Sequence, residues 1–227
     1  MNLTEQPIGQ LARDIPGASA VLHRHKLDFC CGGNISLADA AIAKGLDPDA
    51  LASQLDSLRI RMEKNIPAEK IGNEDLIEHI LTRYHDVHRD QLPELIRLAQ
   101  RVERVHSQHP RCPSGLSAHL ESMQAELEAH MQKEEQILFP MIARGITGMA
   151  AGPVSVMRSE HDDHGNALAR IHNLTFKLTL PEGACNTWRA LYSGLTELEN
   201  DLKQHIHLEN NVLFHRVDGQ LGGARHG

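Results

Sequence analysis

Apolar residues recur every three or four positions through four long stretches of the chain, about residues 74–106, 117–144, 154–179 and 187–216. That step is the period of an α-helix with one buried face. The first stripe runs Ile77, Leu81, His85, His88, Leu92, Leu95, Ala99 and Val102, and the second Leu116, Leu120, Met123, Leu127, His130, Glu134, Ile137 and Met141. The third is Val154, Met157, His161, His164, Leu168, Ile171 and Leu178, and the fourth Leu191, Leu195, Leu198, Leu202, His205, Glu209 and Val212. The separators "SQHPRCPSG", "GITGMAAGP" and "PEGACN" are rich in Pro or Gly, which ends a helix and turns the chain. Short connections between long helices make neighbours antiparallel, so an up-down-up-down four-helix bundle is expected over 74–217, with 218–227 as a tail. Pro93, inside the first stretch, should kink the helix or open one backbone bond.

Ahead of the bundle, residues 1–58 read as a small domain of short helices. "IPGASAVLHRH" supplies one; Ser36 with Asp39 three places on opens another; Asp47 followed by Pro48 starts a third. Residues 59–73, "RIRMEKNIPAEKIGN", mix charge with Pro and Gly and read as a linker. The fold class is therefore all-α.

Each stripe of the bundle is broken by polar residues, and those residues are His or Glu. A buried carboxylate must be neutralised, paired or bound to a metal. The i, i+4 spacing puts His130 over Glu134, and His205 over Glu209, on one helix face each. His85 and His161 lie near the starts of their helices and His130 and His205 towards the ends of theirs, so in antiparallel order all four converge on one end of the bundle. The pattern repeats: "YHDVH" at 84–88 resembles "EHDDH" at 160–164, and "HMQKEEQILF" from 130 resembles "HIHLENNVLF" from 205. Two copies of a helical hairpin, each giving one His and one His-x-x-x-Glu, build a pseudo-twofold site of four His and two Glu. Two carboxylates shared by two metals are the expected geometry of a dinuclear centre, and imidazole with carboxylate suits iron, manganese or zinc. His88 and His164 also lie on the stripes, and spacing alone does not choose between them and His85 and His161. His106 is about 31 Å along the helix from His85, too far to join. His109, His119, His172, His207, His215 and His226 read as solvated, and the charges of "QKEEQ" as a wet face apart from Glu134.

Composition narrows the function. A net charge of −7 without a basic block argues against nucleic acid. No apolar run approaches the ~20 residues that span a membrane, and the N-terminus does not read as a signal peptide. Four cysteines are too few for a disulfide framework, which points to a reducing cytoplasm. Two of them are adjacent in "LDFCCGGN", where Gly32 and Gly33 permit a sharp turn. Cys30 and Cys31 are candidate redox thiols, and the linker could bring them to the mouth of the metal site in their own chain or a partner's. Cys112 and Cys185 fall in Pro/Gly-rich loops and read as inert.

"LDFCCGGN", "RYHD.HR.QLPEL", "HM.KEEQILFPMI", "SEHD" and "H..LENNVLF" together resemble the di-iron iron–sulfur cluster repair proteins, the RIC or ScdA/YtfE family. The resemblance covers nearly the whole chain and implies a hemerythrin-like bundle. It implies the metal ligands His85, His130, Glu134, His161, His205 and Glu209, favouring His85 and His161 over His88 and His164. It implies two non-haem iron ions bridged by the two glutamates. Oxygen-carrying hemerythrins use five His and two carboxylates, so a four-His, two-Glu set disfavours a pure oxygen carrier. The implied function is repair of iron–sulfur clusters damaged by nitric oxide or peroxide, by supplying iron to damaged client proteins. The alternatives are a nitric-oxide-reducing oxidoreductase and an oxygen or nitric oxide sensor or carrier. A homodimer would offer the small N-terminal domain a surface to pack on.

Overall fold

The computed structural model describes residues 3–15, 18–27, 29, 34–63, 71–146 and 148–223. Helices α1 (Ile8–Asp14), α2 (Ala18–Arg24), α3 (Leu37–Ile42) and α4 (Pro48–Glu63) form the N-terminal part. The Ser36 cap is as the sequence implies: its hydroxyl accepts from the Asp39 backbone N–H at 3.0 Å. The Asp47 carboxylate likewise caps α4, accepting from the Asp49 N–H at 2.9 Å. Helix α1 was not anticipated. Helix α4 runs to Glu63, into the stretch read as linker, and residues 64–70 lie outside the described residues.

The bundle helices are long and, with one exception, composite. Asn73–Ile80, Leu81–His85 and Asp86–Val105 run on as α5; Leu116–Lys133, Glu134–Leu138 and Phe139–Ala143 as α6. Ala151–Leu174 is α7, and Asn186–His207, Leu208–Leu213 and Phe214–Gly223 make α8. The middle segments of α5, α6 and α8 are π-helical turns. Pro93 sits inside α5, and the helix runs through it. Its ring nitrogen has no hydrogen to give, so the Arg89 carbonyl loses its usual helical donor.

A π turn holds one residue more than an α turn, so the buried face shifts by one position across it. The second stripe therefore does not continue as the spacing suggests. Beyond Glu134 the buried residues are Leu138, Phe139 and Ile142, while Ile137 is 53% exposed and Met141 only half-buried. In α8 the same shift buries Leu213, Phe214 and Val217 and leaves Val212 half-buried. In α5 the buried residues before the turn are Leu76, Ile77 and Ile80 rather than Leu81.

Two apolar clusters result. The larger joins α1–α4 to the half of the bundle built from Leu92–Val102, Leu116–Met131, Ala167–Ile171 and Trp188–Leu202. The smaller holds Leu76, Ile80, Phe139, Val154, Met157 and Phe214 at the other end. Between them lies a layer of buried polar side chains. The N-terminal part thus packs on its own bundle, far from that layer: the Asn186 amide, at the start of α8, donates to the Phe29 carbonyl at 3.1 Å.

The shift across the π turn separates two neighbouring residues. Ile137→Gln should change unfolding free energy by no more than about 0.5 kcal/mol, whereas Leu138→Ala should cost about 2–5 kcal/mol. Denaturant melts of the two variants decide it, and equal effects would place Ile137 in the core.

Candidate metal centre

His85, His130, Glu134, His161, His205 and Glu209 are all buried, between 0 and 4% exposed. They fall into two groups that share both carboxylates. In the first, His85 Nε2 and His205 Nε2 are 3.0 Å apart; Glu134 Oε2 lies 3.5 Å from the former and Glu209 Oε1 3.0 Å from the latter. In the second, His130 Nε2 and His161 Nε2 are 3.1 Å apart, with Glu134 Oε1 at 3.4 Å from His130 and Glu209 Oε2 at 3.1 Å from His161. Each carboxylate gives one oxygen to each group. Within a group all four donor atoms lie within 4.8 Å of one another.

This donor set fits cations. Imidazole nitrogens bind a divalent ion at about 2.1 Å, so two of them at right angles around one ion stand about 3 Å apart. Hydrogen bonding on the far sides of the rings supports the same conclusion. His85 Nδ1 donates to Glu135 Oε1 at 2.7 Å and His130 Nδ1 to Glu160 Oε2 at 2.9 Å; His161 Nδ1 donates to Asn210 Oδ1 at 3.0 Å. A ring that donates from Nδ1 in its neutral form turns a lone pair inwards at Nε2. The lone pairs of His130 and His161 then face each other, which is unfavourable unless positive charge sits between them. Both oxygens of Glu134 are buried without a hydrogen-bond donor. An orphaned carboxylate in an apolar core costs several kcal/mol, and a shared cation removes that cost.

The electrostatics agree. Burial pushes His85 towards the neutral form, but Glu134 and Glu209 outweigh it and raise the ring to about 10. His130 is raised in the same way, chiefly by Glu134 against its own burial. Burial disfavours the charge of Glu209, yet His205, His161 and His85 hold the carboxyl well below its usual range. The layer attracts and retains positive charge.

His88 and His164 stand one turn away, buried, with rings 5.4 Å from His205 and 4.9 Å from His130. Burial and the neighbouring histidines lower both, His164 to about 3, so they stay neutral. Neither belongs to the two groups. Phe139 stacks on His85 and Phe214 on His161, at 5.7 and 6.1 Å, and these two walls come from equivalent positions of the repeat.

Sequence reasoning missed the outer partners. Glu135 belongs to the stretch read as wet face, but it holds His85 and is itself held by Arg89 at 2.9 Å; Lys133 holds Glu160. The available signal was position: Glu135 follows Glu134, Asn210 follows Glu209, and Glu160 directly precedes His161. Four histidines read as solvated or set aside are partly buried and engaged: His109, which accepts from the Arg111 N–H, His119 with the Ala167 carbonyl, His172 with Glu199, and His106 with Cys185 at 3.2 Å. Cys30 and Cys31 lie outside the described residues. Their neighbour Phe29 is tied to Asn186, 19 residues before His205 on α8, or about 28 Å along the helix.

Residues 76–217 match the hemerythrin HHE cation-binding domain, and residues 4–59 match ScdA_N, a domain of unknown function. Two proteins called iron–sulfur cluster repair protein YtfE, from Yersinia pseudotuberculosis (serotype IB, strain PB1/+) and Yersinia pestis (strain Pestoides F), are each 50% identical over 217 residues. The match covers 96% of this chain and 98% of theirs. The chain belongs to the YtfE family of iron–sulfur cluster repair proteins. Its bundle is a hemerythrin HHE domain, a fold that binds metal cations, and the two His/Glu groups are where cations can be held. Among the described residues no helix is long and apolar enough to cross a membrane.

Around this family centre a second buried cluster supports α5 against α8. Arg83 pairs with Asp201 through two bonds of 3.1 and 2.6 Å, and Gln91 adds a third at 3.3 Å. Beside it, burial and the Asp201 charge raise the Glu197 carboxyl to about 7, against the pull of Arg83. The folded chain thus keeps the Glu197 proton to higher pH than the unfolded chain, and stability falls as pH rises from 4.5 through about 7. Glu197→Gln should remove that slope. Its melting temperature should exceed that of the parent by about 2–4 °C at pH 8, for ~1 kcal/mol, and match it at pH 4.5. A constant difference across that range would show that Glu197 does not titrate there.

Proposed function

We propose that this protein holds two iron ions between Glu134 and Glu209 and restores iron–sulfur clusters damaged by nitrosative or oxidative stress, by supplying iron to the damaged proteins. One observation carries the reading: each of the two buried carboxylates divides its oxygens between two histidine pairs, as a pair of bridging ligands would. The relatives named for cluster repair, similar over almost the whole chain, support the function. His85 and His205 would hold one ion, His130 and His161 the other. Iron bound here would supply a ferrous–ferric couple and ligand positions open to exchange.

The protein's own residues define what such a site can do. Glu135, Glu160 and Asn210 fix the tautomers of three ligand rings, so that their Nε2 lone pairs point inwards. The apolar clusters on either side exclude water, which strengthens charge interactions within the layer. Phe139 and Phe214 give it uncharged walls suited to small neutral molecules such as nitric oxide or oxygen. That feature favours a second reading, a nitric oxide reductase or gas sensor built on the same site. A reducing cytoplasm suits both readings, since Cys30 and Cys31 as iron carriers must stay reduced. For those thiols to reach the site within one chain, the N-terminal segment would have to leave Asn186; a second copy of the chain is the other route.

Metal counting tests the assignment. Protein purified without oxygen should carry two irons per chain. His205→Ala should lose about one, while Glu134→Ala and Glu209→Ala should each lose both, because each carboxylate serves both groups. Zero or one iron in the parent, or zinc indifferent to these changes, would reduce the layer to core packing. Repair of a nitric-oxide-treated iron–sulfur enzyme, lost in Cys30→Ser and Cys31→Ser without turnover of the gas, separates delivery from reduction.

A further inference from the structure

The two halves of the repeat differ at one outer position. Glu160, just before His161, accepts from His130 Nδ1 at 2.9 Å. The equivalent residue, just before His85, is Tyr84, and it lies face to face with His205 instead, ring centres 5.5 Å apart and planes 6° from parallel. His205 Nδ1 is left buried with no hydrogen-bond partner. A carboxylate behind a ligand histidine fixes its ring and raises its basicity, and its loss weakens metal binding about 10–100-fold. The other outer contacts do not compensate: His85 has Glu135 and His161 has Asn210, so only His205 of the four lacks an acceptor.

A further histidine stands behind each half. His88 is fully buried, its Nδ1 3.4 Å from Gln91 Oε1 and its Nε2 without a partner, and its ring lies 5.4 Å from that of His205; His164, buried with neither ring nitrogen partnered, lies 4.9 Å from His130. The same His88 lines a surface groove of about 550 Å³ between α5 and α6, with Arg89, Glu121, Gln124, Glu128 and Met131. His88, with its Nε2 free, therefore adjoins both the less firmly backed His205 and a groove bearing two carboxylates.

We propose that the two ion positions are unequal, that the ion between His85 and His205 is the exchangeable one, and that His88 takes it as it leaves towards the Glu121–Glu128 groove. The step is ligand exchange. Each bond the ion loses to His205, His85 or a bridging carboxylate oxygen is replaced by one to His88 Nε2 or water, and its oxidation state does not change. The ion between His130 and His161, backed by Glu160 and Asn210, stays behind. This rests on the dinuclear reading above and names which of its ions would serve a client.

Extraction from the di-iron protein with a chromogenic ferrous chelator tests it. Two phases of equal amplitude are expected, the first about tenfold or more faster. Reloading with ⁵⁷Fe after the first phase should give a single Mössbauer doublet, since only one position is relabelled. Glu160→Tyr, at a partly exposed position, copies the weaker half and should speed the slow phase until the two merge. Tyr84→Glu should slow the fast phase about tenfold where the variant folds. His88→Leu should slow the fast phase without changing the iron content or the spectrum of the loaded protein. Two irons leaving at one rate, two doublets after reloading, or a Glu160→Tyr effect on the fast phase would each overturn the inference alone. A parent that loads only one iron would overturn the dinuclear reading and this inference with it.

Discussion

Two carboxylates in the middle of a helical bundle are the constraint on which the rest depends. Glu134 and Glu209 are fully buried between two apolar clusters, where an unpaired anion costs several kcal/mol. Nothing in those clusters offers them hydrogen bonds. The bundle surrounds them instead with four imidazoles whose inner nitrogens are turned towards the same two points. The layer is stable only with positive charge in it, which ties the family's cation-binding chemistry to the folding of the bundle itself.

That requirement propagates outwards in rings. Three of the four imidazoles, those of His85, His130 and His161, are held by Glu135, Glu160 and Asn210, and the two acidic members are held in turn by Arg89 and Lys133. Burial works against the charge of Glu135 and of Glu160, but Arg89 for one and Lys133 for the other, with the ligand histidines, keep both below the usual carboxylate range. Each ring is more exposed than the one inside it, so charge is handed from a dry centre to a solvated surface without an isolated ion in between. The apolar clusters above and below close the ends, and the two phenylalanines of the repeat cover the rings of His85 and His161.

The N-terminal helices use the opposite end of the bundle. Their core is continuous with that of the bundle around Leu92–Val102 and Trp188–Leu202, and Phe29 is fixed to Asn186 there. About 28 Å of helix α8, from Asn186 to His205, separates this junction from the layer of buried His and Glu. The arrangement gives the family's two parts a common core while keeping the layer of buried His and Glu away from their junction.

All-α class, bundle order, the repeat and a polar layer of His and Glu on the stripes were legible in the chain, because helical period and the cost of a buried carboxylate are local rules. Ser36 and Asp47 could be read as caps for the same reason. Spacing alone did not make the choice of His85 over His88 legible, since i and i+3 share a helix face; the family resemblance favoured His85, and packing places His85 and not His88 in a His/Glu group. The outer partners were not legible either, because their side chains reach across to other helices. Three π turns lay furthest beyond reach. Each inserts one residue into a helix at the level of the ligands, rotating Leu138 inwards and Ile137 outwards, and no stepping by three and four can foresee that. The chain determined which residues could bind; the tertiary structure decided which way they point, because converging six side chains from four helices on two points requires helices that depart from their own period.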